Sequence, residues 1–290
     1  MSEFVQFLFS GLTVGAVYAL VALGFTMIYN ASGVVNFAQG EFVMLGALGT
    51  VFLAAGGVYL PLAMVIAVAG TTMVGICLYF FAIDTARNAS PIALIIITIG
   101  ASIFLRGSAQ LLFDKRFHSL PSWFGDDPLP VFGAALLSQS IVVVTGAIVI
   151  FLCLYLFFSH TLHGRGVLAI STDALASWLV GINVRFVTAA TFAISAAIGA
   201  IGGILVTPLT LMSYDAGTTL ALKGFAAAML GGMGSPLGAV VGALVVGIAE
   251  SFSAGLISSQ YKDAVAYFAI LAVFVFRPQG LFGTAKIERV

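Results

Sequence analysis

Long apolar runs, separated by short polar intervals, follow one another along almost the whole sequence. A helix that crosses the apolar core of a bilayer needs about 20 residues, and most of these runs approach or exceed that length. The pattern predicts nine candidate spans, at residues 1–30, 41–55, 60–83, 91–113, 140–158, 186–207, 218–232, 236–254 and 264–276. The spans that begin at Glu41 and Thr218 are short and rich in glycine, so either could be re-entrant. Eight or nine crossings are therefore expected.

The longest polar interval covers residues 159–185 and divides the sequence into two halves. Within it, apolar residues recur at the spacing of one helical face, at Leu175, Trp178, Leu179 and Ile182. Thr172 or Ser171 can accept hydrogen bonds from the first free backbone N–H groups, and Asp173 lies where the helix dipole favours an anion. Gly181 can adopt the left-handed conformation that ends a helix. The interval therefore predicts an amphipathic helix of roughly two turns between Asp173 and Gly181.

So short a helix cannot cross a bilayer, and it must lie at the membrane surface or dock into a partner protein. In the first interpretation it is an ordinary loop helix that covers its own bundle. In the second it is a docking element, since small residues let a partner approach closely and charged residues offer ion pairs. The small residues are Gly164, Gly166, Ala174 and Ala176, and the charged residues are Arg165, Asp173 and Arg185.

The composition identifies the class of protein, because 61% of the 290 residues are hydrophobic, only 8% are charged and the mean hydropathy is +1.16. These values are typical of an integral membrane protein. We expect an all-α, polytopic helical bundle in one domain, residues 1–290, with a first half (1–158), the 159–185 segment and a second half (186–290). The net charge is zero and no basic run occurs, so nucleic-acid binding is not expected.

Lysine and arginine in the short loops predict the orientation, because cytoplasmic loops of membrane proteins are enriched in both residues. If the 159–185 segment is cytoplasmic, the basic residues on the inside are Arg87, Arg165, Arg185, Arg277, Lys286 and Arg289. Those on the outside are Lys115, Arg116 and Lys262. This bias predicts an external N-terminus, a cytoplasmic C-terminus and an external cap at residues 114–130. Ser122 should then be external and Thr284 cytoplasmic.

The sequence also contains a candidate internal repeat. Displaced by 185 positions, residues 20–46 align without a gap with residues 205–231, and the identities include Tyr29 with Tyr214. An odd number of predicted crossings separates the copies, so they run in opposite directions and form an inverted repeat, as in many transporters. The alternative is a chance match between two glycine-rich apolar segments.

In both aligned copies a long helix is expected to end at the tyrosine, and a broken polar segment precedes a short helix. Broken helices expose backbone groups, which is tolerated at membrane depth only inside protein or along a water-filled path. The polar residues near these breaks are candidates for a substrate pathway: Tyr29, Asn36, Gln39, Glu41, Tyr214, Asp215 and Lys223. The alternative is that Glu41 and Lys223 lie at helix ends in the headgroup zone. Glu250 and Arg106 are expected near the outer interface.

Motifs for catalysis, nucleotide binding and metal binding are absent from the sequence. The glycine-rich stretch GGMGSPLG, residues 231–238, lacks the Lys-Ser/Thr pair of a phosphate-binding loop and does not follow a strand. Neither HExxH nor GxSxG occurs. We therefore expect no enzyme active site, no metal and no cofactor on this chain.

Four long stretches resemble the permease subunits of branched-chain amino acid ABC importers, the high-affinity leucine, isoleucine and valine uptake family. They are GLTVGAVYALVALGFTMIYNASGVVNFAQGEFVMLG (11–46), HGRGVLAISTDALASWLVGINV (163–184), LKGFAAAMLGGMGSPLGAVVGALVVGIAES (222–251) and YKDAVAYFAILAVFVFRPQGLFG (261–283). The resemblance implies a complex in the bacterial inner membrane, with a second permease subunit, identical or different, two cytoplasmic ATPase subunits and an external solute-binding protein. ATP would be hydrolysed on the other subunits.

The resemblance also implies roles for residues of the 159–185 segment. The residues that would couple this chain to the ATPase are Gly164, Arg165, Asp173, Ala174, Trp178, Leu179, Gly181 and Ile182. Of the acidic pair that such permeases carry at the start of this helix, only Asp173 is matched, because Thr172 precedes it. The implied function is inward transport of a branched-chain amino acid or a related amino acid or amide. The alternative is an ion-coupled secondary transporter with inverted repeats, which needs no docking helix.

Overall fold

The computed structural model describes residues 2–125, 127–131, 133–277 and 279–283. Helices account for most of the described chain, because long apolar segments in a bilayer must satisfy their backbone hydrogen bonds internally. The helices are α1 (Ser2–Ser32), α2 (Gln39–Ala55), α3 (Leu60–Leu78), α4 (Pro91–Phe113), α5 (Ser138–His160), α6 (Leu162–Thr172), α7 (Ala174–Leu179), α8 (Val184–Val206), α9 (Ala216–Gly231), α10 (Pro236–Leu256) and α11 (Lys262–Phe276).

Each of the nine predicted spans corresponds to a helix, and the all-α polytopic bundle is confirmed. In the described part of the chain, six helices are long and apolar enough to cross a membrane: α1, α3 with a π-helical continuation (Tyr79–Ile83), α4, α5, α8 and α10. The helices α2, α9 and α11 have 17, 16 and 15 residues. At 1.5 Å per residue they are about 22 to 26 Å long, which is shorter than the apolar core.

The helices α1 and α8 form the centre of the bundle. α1 packs against α8, α9 and α10, and α8 packs reciprocally against α1, α2 and α3. The two central helices run antiparallel: Ser195 contacts Gly24 near the middle, and Thr188, closer to the start of α8, contacts Ala31 near the end of α1. This arrangement matches an inverted relation between α1–α3 and α8–α10.

The residue register predicted for the repeat is wrong. Tyr29 lies within the last turns of α1, whereas α8 already ends at Val206, so Tyr214 lies in the connection that follows it. The helices α2 and α9 begin at residues 39 and 216, an offset of 177 (216 minus 39) rather than 185. The sequence match therefore aligned apolar, glycine-rich stretches whose helices begin at different points.

Two faces of the bundle are defined by contacts between chain ends and loops. On one face the end of α1, the α6–α7 region, the α9–α10 turn and residues 279–283 surround a common cavity. On the opposite face the Gln6 side chain exchanges two hydrogen bonds with the Ala135 backbone, at 3.0 and 2.9 Å. The start of α1 and residues 279–283 therefore lie on opposite faces. Lys286, Arg289 and Thr284, used in the orientation prediction, lie outside the described residues.

The predicted cap at residues 114–130 lies on the same face as the start of α1. Strand β1 (Pro128–Val131) pairs antiparallel with β2 (Ala134–Leu137), and the backbones of His118 and Met212 exchange two hydrogen bonds of 2.8 Å. The backbone N–H of Arg116 and the His118 ring bind the Asp114 carboxylate and hold its pKa below the usual range. The cap is thus attached to the connection between α8 and α9.

Candidate functional site

The predicted amphipathic helix in the 159–185 segment is confirmed as α7. Asp173 precedes it in an extended conformation, and its Oδ1 accepts a hydrogen bond from the Ala176 N–H at 2.9 Å. Gly181 has a φ of +91°, the left-handed conformation that ends the helix. Ala174 is the first residue of α7. The stop signal read from the sequence is confirmed, but the predicted cap is wrong: Asp173 caps the helix, while the hydroxyls of Ser171 and Thr172 donate to the Leu168 carbonyl oxygen in α6.

The apolar face of α7 points away from the bundle. The side chains of Leu175, Trp178 and Leu179 are 67%, 64% and 71% exposed, whereas Ser177 is buried. Ile182, predicted on the same face, lies beyond the end of the helix and packs against the core. The left-handed turn at Gly181 reverses the direction of the chain, and Ile182 therefore packs against the core instead of lying on the exposed face of α7.

Gly164 and Arg165 attach α6 to the end of α5. A Cβ at Gly164 would overlap the carbonyl oxygen of Phe157, so only glycine allows this approach. Arg165 donates two hydrogen bonds, of 3.2 and 3.1 Å, to the Ser159 carbonyl oxygen. Gly164 is buried in this contact, whereas Arg165 helps to hold the segment on α5 and remains exposed.

The start of α8 is linked to the loop after α3. The Arg185 guanidinium lies 2.6 Å from the Asp84 carboxylate and 5.3 Å from the centre of the Phe80 ring. The π-helical turn at Tyr79–Ile83 precedes this contact, and such turns often mark functional positions. Trp178 lines a cavity of about 350 Å³ beside the pair. α7, the start of α8 and the loop after α3 therefore meet at this cavity.

The first break, residues 33–38, begins at the exposed Gly33 and enters the bundle, where Asn36 and Ala38 are buried. Gln39 is fully buried and contacts α8, accepting a 2.7 Å hydrogen bond from the Ser195 hydroxyl and donating to the Ser195 carbonyl oxygen at 3.3 Å. Asn36 is also fully buried; its Oδ1 accepts from the Ala38 N–H at 3.1 Å. Its amide nitrogen has no hydrogen-bond partner among the described residues. The predicted polar break is present at depth.

Glu41 lies where the starts of α2 and α9 meet. The Ser102 hydroxyl donates to one Glu41 oxygen at 2.8 Å, and Arg106 donates to the Thr218 hydroxyl at 2.8 Å. Glu41 is 1% exposed, so it is enclosed by α4 and α9 rather than located at a surface helix end. Its second carboxylate oxygen has no hydrogen-bond partner in the described chain. A carboxylate at this depth without full pairing is a functional candidate.

Lys223 forms the centre of a second buried network. Its Nζ lies 2.7 Å from Glu250 Oε1 and 2.6 Å from Asp263 Oδ1, and the Tyr18 hydroxyl donates to Glu250 Oε2 at 2.8 Å. Lys223 and Glu250 are both buried. Sequence reasoning placed Glu250 at the outer interface and omitted Tyr18 and Asp263. The available signal was Lys223 itself, because a buried cation within the bundle requires an anionic partner.

The predicted pathway residues are distributed over separate regions. Asn36, Gln39 and Glu41 lie near the centre, while Lys223 and Asp215 line a cavity of about 430 Å³ toward the face of the cap. Tyr29 lines the cavity of about 860 Å³ next to α6 and α7, whose described walls carry no charged side chain. Tyr214 is half-buried against the core. The structure therefore does not bring these residues into a single site.

Comparison with known proteins gives consistent matches over the whole chain. The family described as "Branched-chain amino acid transport system / permease component" matches residues 7–274. The permease BraD of Pseudomonas aeruginosa is 34% identical, covering 99% of this chain and 98% of its own, and LivH of Escherichia coli K12 is 32% identical with the same coverage. Both carry the description "High-affinity branched-chain amino acid transport system permease protein".

More distant similarity extends to other permeases. The ribose import permease protein RbsC of Haemophilus influenzae is 25% identical, covering 94% of this chain and 84% of its own.

 Among solved structures, the chain resembles "PsaBC from Streptococcus pneumoniae in complex with Fab", with a TM-score of 0.52 and 14% identity, over 97% of each chain. At that identity the likeness supports the fold alone. Because the family match and the relatives above 30% identity cover nearly the whole sequence, this chain belongs to the branched-chain amino acid transport system permease family.

Proposed function

We propose that this chain is the membrane-spanning permease subunit of an ABC importer that moves a branched-chain amino acid, or a related amino acid or amide, into the cell. The descriptions of BraD and LivH as branched-chain amino acid permeases support the substrate class, and the ribose permease RbsC is a more distant match. The chain itself would carry no ATPase site and no cofactor. ATP hydrolysis on partner subunits would drive alternating access.

The exposed apolar face of α7 is the observation that carries this proposal. Leu175, Trp178 and Leu179 project from a helix too short to span a membrane, and its position is fixed by the cap at Asp173. Large side chains at the centre of a contact carry most of its binding energy, and burying this face would remove three of them from water. We propose that this face docks into a groove on a cytoplasmic ATPase subunit.

The contacts of the 159–185 segment provide a route for the movement. Gly164 and Arg165 hold α6 on α5, and Arg185 links the start of α8 to Asp84 beyond α3. A push on α7 would therefore act on α5, α8 and α3. Because α8 is one of the two central helices, its tilt would alter the packing between the two inverted halves.

The assembly would contain a second permease subunit, identical or different, two ATPase subunits and an external solute-binding protein. Exposed apolar side chains on α3, α4 and α5, such as Ile96, Phe104 and Leu152, would face lipid or the second permease. The face that holds α6 and α7 would be cytoplasmic, in the bacterial inner membrane, because it carries Arg165 and Arg185. The start of α1 would then be external.

Truncation of the α7 face tests the proposal. Trp178→Ala or Leu179→Ala should each cost roughly 2 kcal/mol of binding to the ATPase, a loss of about 30-fold in affinity. Gly181→Val should weaken the same contact, because a β-branched residue fits poorly at a φ of +91°. The measurement is co-purification with the ATPase subunits and ATP-dependent amino acid uptake into proteoliposomes.

Leu256→Ala is the matched control, since Leu256 is 73% exposed on the opposite face. It should leave assembly and uptake unchanged. Normal assembly and normal coupled uptake in all three α7 variants would contradict the docking role and leave a loop helix that covers its own bundle.

A further inference from the structure

A cavity of about 430 Å³ lies between α1, α9, α10 and the start of α11. Its walls include Phe117 of the external cap and Lys262 at the start of α11, so it opens toward the face opposite α7. The volume falls within the range of roughly 300 to 1,000 Å³ that is usual for small-molecule sites. This cavity is separate from the one beside α6 and α7.

Charged side chains line part of the cavity. Lys223 lies between Glu250 and Asp263, at 2.7 and 2.6 Å, and Asp215 and Lys262 also line the space. Two cationic and three anionic groups therefore surround it, which leaves one negative charge without a cationic counterpart in the lining. Asp263 is about half exposed, whereas Lys223 and Glu250 are buried. Asp263 is thus the accessible carboxylate of the network.

Apolar side chains also line the cavity. They are Val14, Val17, Val206, Leu211, Met212 and Leu220. A site that presents charged groups of both signs together with apolar side chains suits a ligand that carries both. A network that served only to hold helices together would need neither the open space nor the aliphatic wall.

We infer that this cavity binds a zwitterionic amino acid with an apolar side chain. The binding site would lie within one permease subunit. The inference rests on the proposed function and assigns a location and residues to its substrate. The ammonium group would lie against Asp263 and Asp215, and the carboxylate would lie toward Lys262. The side chain would contact Val17 and Leu220. The buried pair of Lys223 and Glu250 would position Asp263 rather than contact the ligand.

Equilibrium binding of radiolabelled L-leucine to the purified full chain in lipid nanodiscs tests this site. Unlabelled L-leucine should compete, whereas L-leucine methyl ester, which lacks the carboxylate, and 4-methylpentanoic acid, which lacks the ammonium group, should compete at least tenfold more weakly. Thr219→Trp should abolish binding, because Thr219 lines the cavity and a tryptophan would fill it. Asp263→Asn should weaken binding at least tenfold, and Asp263→Glu should restore most of it.

Val245→Trp is the matched control, since Val245 is 45% exposed on α10 and does not line the cavity. It should bind leucine as the unmodified chain does. Elution as a single species in size-exclusion chromatography, and assembly with the ATPase subunits, should be unchanged in all variants.

ATP-dependent leucine uptake by the complete assembly separates the two proposals. If uptake is normal but the unmodified chain binds no leucine, the cavity site is wrong and the importer function stands. The same conclusion follows if Thr219→Trp binds and transports leucine normally. Equal competition by the methyl ester would also overturn the zwitterion site, since it would indicate a site for cations. Absence of ATP-dependent uptake of any amino acid would overturn the proposed function.

Discussion

At the scale of single residues, backbone-to-backbone contacts at glycine hold the centre of the bundle together. A Cβ at Gly203 on α8 would overlap the carbonyl oxygen of Val43 on α2, and a Cβ at Gly46 would overlap the backbone of Ala200. Small residues allow membrane helices to approach this closely, and close approach supplies the dispersion contacts that associate helices in lipid. These contacts join the two inverted halves.

Gly203→Val should therefore lower the thermal stability of the chain. The added side chain has no space at the α2–α8 crossing, and overpacking of this kind typically costs about 1 to 3 kcal/mol. The measurement is the melting midpoint of the purified chain in detergent. Gly100→Val is the control, because nothing lies within 4 Å of a Cβ at Gly100. Equal melting midpoints for the two variants would contradict the close crossing.

At the scale of elements, the stability of α7 depends on its ends. It has only six residues, and an isolated helix of that length is unstable in water. The hydrogen bond from Ala176 to Asp173 and the left-handed turn at Gly181 hold the helix in place. Its exposed apolar side chains keep a defined spacing only while both ends are intact.

Asp173→Ala should reduce coupling without disturbing the bundle. Loss of an N-cap side chain typically costs about 1 kcal/mol of helix stability. The expected result is weaker co-purification with the ATPase and a lower rate of transport-linked ATP hydrolysis, at an unchanged melting midpoint of the chain. Asp173→Asn keeps an oxygen acceptor and should retain most of the activity. If Asp173→Ala and Asp173→Asn behave alike, the cap is not what positions α7.

The sequence predicted elements well where the signal is local. Helix ends at Asp173 and Gly181 follow from side-chain chemistry and backbone conformation, and apolar length predicts the spans. The sequence predicted contacts between distant segments less well. The partners of Lys223, namely Glu250, Asp263 and Tyr18, come from three other helices, and no local pattern joins them. The repeat register failed for a related reason, because a small apolar alphabet allows several alignments.

At the scale of the whole molecule, the order of the helices determines which loops share a face. Residues 159–185, the α9–α10 turn and residues 279–283 meet on one face, while the cap at residues 114–130 and the start of α1 meet on the other. The backbone N–H groups of Leu281 and Phe282 donate to the carbonyl oxygens of Leu230 and Gly231, at 2.8 and 2.9 Å. This contact fixes residues 279–283 to the end of α9.

Labelling of single cysteines tests this arrangement in the membrane. In a background in which Cys77 and Cys153 are replaced by serine, a membrane-impermeant maleimide applied to intact cells should label Ser122→Cys. Ser171→Cys and Gln279→Cys should react only after the membrane is opened, because both line the cavity beside α6 and α7. Labelling of Ser122→Cys and Ser171→Cys from the same side would contradict a crossing by α5. The reversed pattern would place α7 outside the cell, where no ATPase could reach it.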